Sequence, residues 1–197
     1  MSKVGVAVEG PSDLVFWRKF LHRTYRPQRF DVHMMSGRQK LVRDAAKLLD
    51  MFRDAHYCAG ILIIDIDKDH CVTETRESFA DEILEELKRD ISQRYLHLCV
   101  AVAKIESWYL ADDEAIRSVI CGVEYHAGEY DPRWAKKKLG ELHAQVGAVY
   151  NAIDFGARIA TKFDPQRAAK RSDSFRIAWD RISNAALRGE EFPLFPP

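Results

Sequence analysis

Tyr57-Cys58-Ala59-Gly60-Ile61-Leu62-Ile63-Ile64 runs directly into Asp65-Ile66-Asp67-Lys68-Asp69. The first stretch is almost wholly apolar, as a strand covered on both faces of a parallel sheet must be. The second is acidic, so the carboxylates are expected at the carboxyl end of that strand. Side chains alternate along a strand. Asp65 and Asp67 are therefore expected on one side, with Ile66 turned back to the core.

Working outward from this strand, the same grammar recurs. Lys3 to Glu9 (KVGVAVE) is a shorter apolar run stopped by Gly10-Pro11, where a helix can start because proline suits a first turn. In that helix Leu14, Trp17 and Leu21 share a face, with Phe16 and Phe20 beside them. Phe30 to Met35 reads as a strand, and after Ser36-Gly37 a helix carries Leu41, Ala45, Leu48, Leu49 and Phe52 as a stripe. Beyond the acids, a charged helix from about Glu74 to Arg94 is expected to bury Phe79, Ile83, Leu87 and Ile91, and Leu96 to Ala103 forms a fourth strand. Repeated β-α-β units predict an α/β fold, a Rossmannoid and mostly parallel sheet flanked by helices.

After Glu106 the pattern becomes helical. Trp108 to Ile120, Pro132 to Gln145, Tyr150 to Lys162 and Gln166 to Leu187 all read as helices, and the chain finishes in EFPLFPP. We expect an α/β core over 1–112 and a helical C-terminal extension over 113–197, packed together as a single compact unit. A chain of 197 residues, 47% hydrophobic and 30% charged, suits one such unit better than two full domains.

Composition narrows the function classes. No run of eighteen apolar residues occurs, and MSKVGVAVEG lacks a secretory signal, so a cytoplasmic protein with no membrane partner is expected. Cys58, Cys71, Cys99 and Cys121 form no CxxC pair, which argues for reduced, mostly buried thiols rather than a zinc site. The seven histidines show no metal-ligand spacing, and Trp17, Trp108, Trp134 and Trp179 fall where helical packing would bury them. Net charge is zero, yet residues 1–132 hold 18 Lys+Arg against 23 Asp+Glu and residues 133–188 hold 12 against 5. An acidic front beside a basic back suits a metal site next to a phosphate-gripping surface, and equally a plain solvated exterior.

In open parallel sheets, ligands bind beyond the carboxyl ends of strands. Acids follow three of the four expected strands: Glu9, the Asp65/Asp67/Asp69 group, and Glu106. Converging hard oxygen ligands are what Mg²⁺ prefers when it keeps waters for phosphate exchange. Taken singly, each acid has a plain reading. Glu9-Gly10-Pro11-Ser12-Asp13 is also an ordinary strand-to-helix turn, Asp13 a helix-dipole partner, Asp67-Lys68-Asp69 a solvated loop, and Glu106 a surface acid. The joint placement is what points to a metal site.

Val8-Glu9-Gly10-Pro11-Ser12-Asp13 resembles the TOPRIM signature, in which a glutamate and a glycine close the first strand. Ile64-Asp65-Ile66-Asp67-Lys68-Asp69 resembles that family's DxD motif, and the order of the two agrees. The resemblance covers roughly the first half of the chain. The domain is shared by topoisomerases, bacterial primases, OLD-family nucleases and RecR-like proteins. Lys104-Ile105-Glu106-Ser107-Trp108 further resembles small stand-alone TOPRIM proteins of bacterial defence loci.

The resemblance implies roles. Glu9 would be the general acid/base and approach a metal, while Asp65 and Asp67 hold Mg²⁺ (or Mn²⁺) with Asp69 beside them. Asp13 and Glu106 would complete a second metal site. Lys104, Lys162, Lys170 and Arg171 are candidate nucleic-acid contacts that neutralise phosphate charge. The implied activity is a metal-dependent nuclease acting on DNA or RNA, a toxin-like phage-defence effector. Its implied partners are nucleic acid and a partner ATPase, with homo-oligomerisation left open. Topoisomerase and primase chemistry need parts for which this length leaves little room, and nothing marks Tyr109, Tyr125 or Tyr130 as an activated nucleophile. A HAD-like phosphohydrolase would carry its nucleophilic aspartate after the first strand rather than the third. The standing alternative is a non-catalytic TOPRIM-like module that binds a partner ATPase or nucleic acid.

Overall fold

A computed structural model of the chain describes residues 3–65, 96–101, 104–128 and 130–191. Asp67, Asp69, Cys71 and the helix expected over 74–94 lie outside the described residues.

Four strands form one parallel sheet in the order β2-β1-β3-β4: β1 (Val4–Val8), β2 (Phe30–Met34), β3 (Ala59–Asp65) and β4 (Leu96–Ala101). Val4 pairs with Phe30 on one side and with Ala59 on the other, and Ile63 pairs with Cys99. All five residues of β1 are buried, because the strand is central and covered on both faces. The strand expected from Tyr57 begins only at Ala59. Tyr57 N–H goes to Phe52 O and closes the preceding turn, while Cys58 N–H already reaches across to Lys3 O, just before β1.

Helices cover the two faces. On one face α1 (Pro11–Thr24) buries Phe16, Trp17, Phe20 and Leu21 against Val4, Val6, Val8, Ile61 and Ile63. On the other, α2 (Arg38–Asp54) lays Phe52 over Gly5, where a Cβ would sit only 2.4 Å from the ring. Glycine at this position lets helix and strand meet. The edge strand β2 is partly covered by α1, whose Arg18 Nη2 donates to Val32 O (3.1 Å) while the His22 ring lies 3.4 Å from Phe30 O. Such cover blunts an otherwise open sheet edge.

After the sheet come α3 (Ile105–Leu110), α4 (Asp113–Val119), a 3₁₀ turn (Pro132–Trp134), α5 (Ala135–Gln145), α6 (Ala152–Ile159), α7 (Pro165–Ala169) and α8 (Asp173–Glu191). The single helix expected over 108–120 is two. Asp112 interrupts it, its side chain accepting Ala115 N–H (3.2 Å) to cap α4. The helix expected over 166–187 is likewise two, with Phe175 N–H going to Ser172 Oγ at the break. α6 packs along α1, and α8 packs on β4. Trp17, Trp108 and Trp179 are buried as expected, whereas Trp134 is half exposed. Of the thiols, Cys99 is buried and Cys121 exposed. No helix among the described residues is long and apolar enough to cross a membrane.

Candidate metal and phosphate site

The strand order itself marks a place. From β1 the chain moves outward to β2, then returns past β1 to β3, so the connections leaving the carboxyl ends of β1 and β3 diverge and open a crevice there. Glu9 follows β1 and Asp65 ends β3. Across the gap, Asp65 N–H donates to Glu9 Oε1 at 2.7 Å. The Asp65 carboxylate in turn accepts Ile105 N–H (2.9 Å to Oδ1) from the first turn of α3. That bond ties the end of β3 to the start of the helix carrying Glu106.

Two further carboxylates close on the same point. Asp13, in the first turn of α1, is buried, with Oδ2 accepting Gly10 N–H (3.1 Å) and Oδ1 accepting the Ser12 hydroxyl (3.3 Å). It is thus both a helix cap and a neighbour of the other acids. Glu106 is only 6% exposed and accepts the Tyr150 hydroxyl (3.3 Å to Oε1). The sequence offers it both as a plain surface acid and as the completion of a second metal site; the structure buries it with Tyr150 against it.

The electrostatics show how crowded the negative charge is. Burial, then the nearby Glu106 charge, pushes Asp13 up to about 6, against the bonds from Gly10 and Ser12 and the charge of Lys104, which pull it down. Asp65 is raised well above the ordinary carboxylate range by burial and then by Asp13, Glu9 and Glu106, with Lys104 opposing. Lys104, partly buried at the start of α3, is the cation these two acids share. Asp13 and Asp65 are thus raised by burial and by neighbouring acids with Lys104 opposing, an arrangement of hard oxygen ligands that a divalent cation fits. Among the described residues, no three His, Cys, Asp or Glu side chains stand arranged around a single ion.

Two tyrosines underlie the acids and could not be assigned from the sequence. Tyr109 lies one helical turn after Glu106, its ring 4.7 Å from that of Phe16 and its side chain fully buried. Burial and the charges of Asp13, Glu106, Tyr150 and Asp65 hold its hydroxyl well above its ordinary pKa, so it is no activated nucleophile. Tyr150 is raised too, by burial and then by Glu106 and Asp13.

The basic candidates are dispersed. Arg171 is engaged by Asp113, and Lys162 and Lys170 are exposed. Lys162 sits in a turn held from both sides, where Arg23 donates to Thr161 O (2.7 Å) and to Phe163 O. Of the four basic candidates, Lys104 is the one the charges tie to the acids.

No functionally curated protein matches the chain. Among solved structures, the C-terminal region of the Burkholderia pseudomallei OLD protein superimposes with a TM-score of 0.52 at 15% identity, over 94% of this chain and 99% of that one. The C-terminal region of the Xanthomonas campestris pv. campestris OLD protein gives 0.50 at 14% identity, over 98% and 99%. At such identities the likeness shows the fold, an α/β TOPRIM-like sheet with several C-terminal helices. The site residues Glu9, Asp13, Asp65 and Glu106 all fall inside the matched family segment, residues 8–183, and the chain belongs to that family, described as a domain of unknown function, DUF4276.

Proposed function

We propose that the protein is a Mg²⁺- or Mn²⁺-dependent phosphodiester hydrolase, a nuclease acting on DNA or RNA. The observation that carries this reading is the gathering of Glu9, Asp13, Asp65 and Glu106 at the strand-order switch, where burial and then neighbouring acids raise Asp13 and Asp65. Buried acids that only stabilise a fold are normally met by arginines or lysines. Here the hydrogen bonds to Asp13, Asp65 and Glu106 come from backbone N–H groups and hydroxyls. The fold shared with the OLD C-terminal regions, and the TOPRIM-like motif order, support the same reading.

In this proposal Asp65 and Asp67 hold the cation, Asp69 stands beside them, and Asp13 with Glu106 forms a second acid pair. When bound, the cation supplies Lewis-acid stabilisation of charge at the phosphate. Glu9 works as general acid/base, taking the proton of the attacking water. The Ile105 N–H fixes Asp65, so the acid keeps its direction while charge changes around it. Lys104 faces the phosphate and offsets charge that grows in the transition state. Lys162 and Lys170 extend the grip along a nucleic-acid backbone. We further propose a phage-defence role as a toxin-like effector in the cytoplasm, working beside a partner ATPase.

A second reading has one observation behind it: Glu9 and Asp65 both accept backbone N–H groups, and no three described acids enclose an ion as they stand. That pattern suits a TOPRIM-like module that binds nucleic acid or an ATPase without cutting. Purified protein incubated with plasmid DNA and total RNA in Mg²⁺, Mn²⁺ or EDTA separates the two. Cleavage that needs the metal and falls at least ~10³-fold in Glu9→Ala and Asp65→Ala supports the nuclease. Nucleic-acid binding that survives Asp65→Ala without any cleavage supports the module, and cleavage undiminished in both variants overturns the site.

A further inference from the structure

Tyr109 presents an unusual combination. Its Oη is buried and has no hydrogen-bond partner, although the residue lies among acceptors. An unsatisfied buried hydroxyl costs about 1–3 kcal/mol. The ring has every reason to be there, packed 4.7 Å from Phe16 and 5.9 Å from Phe155. The oxygen has none that packing explains, since phenylalanine would fill the same space. Its position is set by three elements at once. Tyr109 shares a face of α3 with Glu106, its ring rests on Phe16 one turn past Asp13 in α1, and Gly156 of α6 would place a Cβ 3.8 Å from Oη and 3.1 Å from Ser12 O. Of the surrounding charges, Asp13 acts on it most strongly and Glu106 next.

Tyr150 supplies the pattern. It comes from the loop before α6, is held by the rings of His143 (5.3 Å) and Phe155 (5.6 Å), and already donates to Glu106. Two phenols thus approach the same acids from below, one engaged and one with a vacant donor.

We propose that Tyr109 and Tyr150 are positioning residues of the acid cluster: in the cation-loaded site Tyr109 Oη–H donates to Asp13 and Tyr150 Oη–H to Glu106. A carboxylate that turns one oxygen to a cation needs a donor for the other when it is buried, and neutral phenols are the donors at hand. Asp13 accepts from Gly10 and Ser12, and Tyr109 Oη keeps its proton without an acceptor. The inference rests on the metal-site reading above, and it names the residues that hold the second acid pair in place.

The test is Mn²⁺ binding, followed by the electron paramagnetic resonance of free Mn²⁺, on the full chain as wild type, Asp65→Asn, Tyr109→Phe and Tyr150→Phe, with melting in EDTA alongside. The proposal expects Tyr109→Phe to bind Mn²⁺ about 10-fold more weakly, the lower end of what outer-shell partners contribute. It also expects that variant to melt no lower than wild type in EDTA, because only an unsatisfied hydroxyl has gone. Tyr150→Phe should weaken binding as well, with a small loss in EDTA, since its existing bond to Glu106 is lost. If wild type binds Mn²⁺, Asp65→Asn does not, and Tyr109→Phe stays within twofold of wild type, the positioning role is overturned while the metal site stands. If wild type takes up no Mn²⁺, the metal site falls and this inference with it.

Discussion

Among the described residues, the acids around Asp112 and the acids around Asp65 are built on opposite plans. Around Asp112, which is completely buried, every demand is met. Arg167 donates from Nε (2.7 Å) and Nη2 (3.1 Å), Ala115 N–H caps through it, and Asp164 N–H adds a fourth bond at 2.6 Å. Its neighbour Asp113 takes Arg117 and Arg171, whose bonds outweigh its burial and hold it below the usual carboxylate range. At the other site burial and neighbouring acids drive Asp65 and Asp13 up. Arginine-paired acids belong to the assembly of helices α4 and α7. Buried acids raised by their surroundings at the end of a sheet are a cost to the fold that a ligand can recover, which is a common mark of a functional site.

The sharpest way to break this comparison is to remove charge from each side. Asp112→Ala leaves the Arg167 guanidinium without its bidentate partner and strips two backbone N–H groups, a loss of about 3 kcal/mol, at the low end for buried pairs because Arg167 is partly exposed. Asp65→Asn keeps an oxygen for Ile105 N–H and removes repulsion, so in EDTA it should unfold no earlier than wild type. Urea unfolding of the two variants measures this. Equal destabilisation by both would mean that the two sites are the same kind of thing.

A second test uses pH. Asp13 rises from an ordinary 3.8 to about 6, so the folded protein binds that proton more tightly than the unfolded chain does. Its contribution is therefore most favourable below pH 4 and is lost as pH rises through 6, a change of no more than about 3 kcal/mol. Asp65 acts in the same direction. Asp113 has the opposite sign, giving stability above the ordinary carboxylate value that is lost only in stronger acid. Cation-free wild type should thus be more resistant to urea at pH 4.5 than at pH 7, and Asp13→Asn should shrink the difference. An unchanged difference in that variant would show that burial and the Glu106 charge do not raise Asp13 in the folded protein.

The contrast also explains what the sequence could and could not disclose. Tyr57 to Ile64 announced a buried strand because both of its faces had to be apolar, and the acids behind it announced a strand end. The likeness to TOPRIM motifs drew on the same two places. The break at Asp112 was hidden, because Ala111-Asp112-Asp113-Glu114 reads equally as helix interior or as a cap, and only Arg167, 55 residues on, decides it. The burial of Glu106 was hidden for a related reason. Tyr150, which donates to it, comes 44 residues later, and no local period contains that contact. In the sequence nothing set Tyr109 apart from Tyr125 or Tyr130, because the loneliness of its hydroxyl depends on three elements meeting.

The smallest expected effect concerns Lys104, the cation that softens the acid cluster. It lowers both Asp13 and Asp65, yet it is partly exposed, so solvent screens much of its charge. Lys104→Gln removes a positive charge that competes with any metal ion for the same acids. Mn²⁺ should then bind two- to fivefold more tightly, equivalent to roughly 0.5–1 kcal/mol for a screened pair. Cleavage should move the other way, because the same lysine is proposed to face the phosphate. Opposite signs in binding and turnover would place Lys104 on the side of the substrate. Weaker Mn²⁺ binding in the variant would instead show that the lysine holds the acids in place, and that their crowding is relieved from within the protein rather than by an ion.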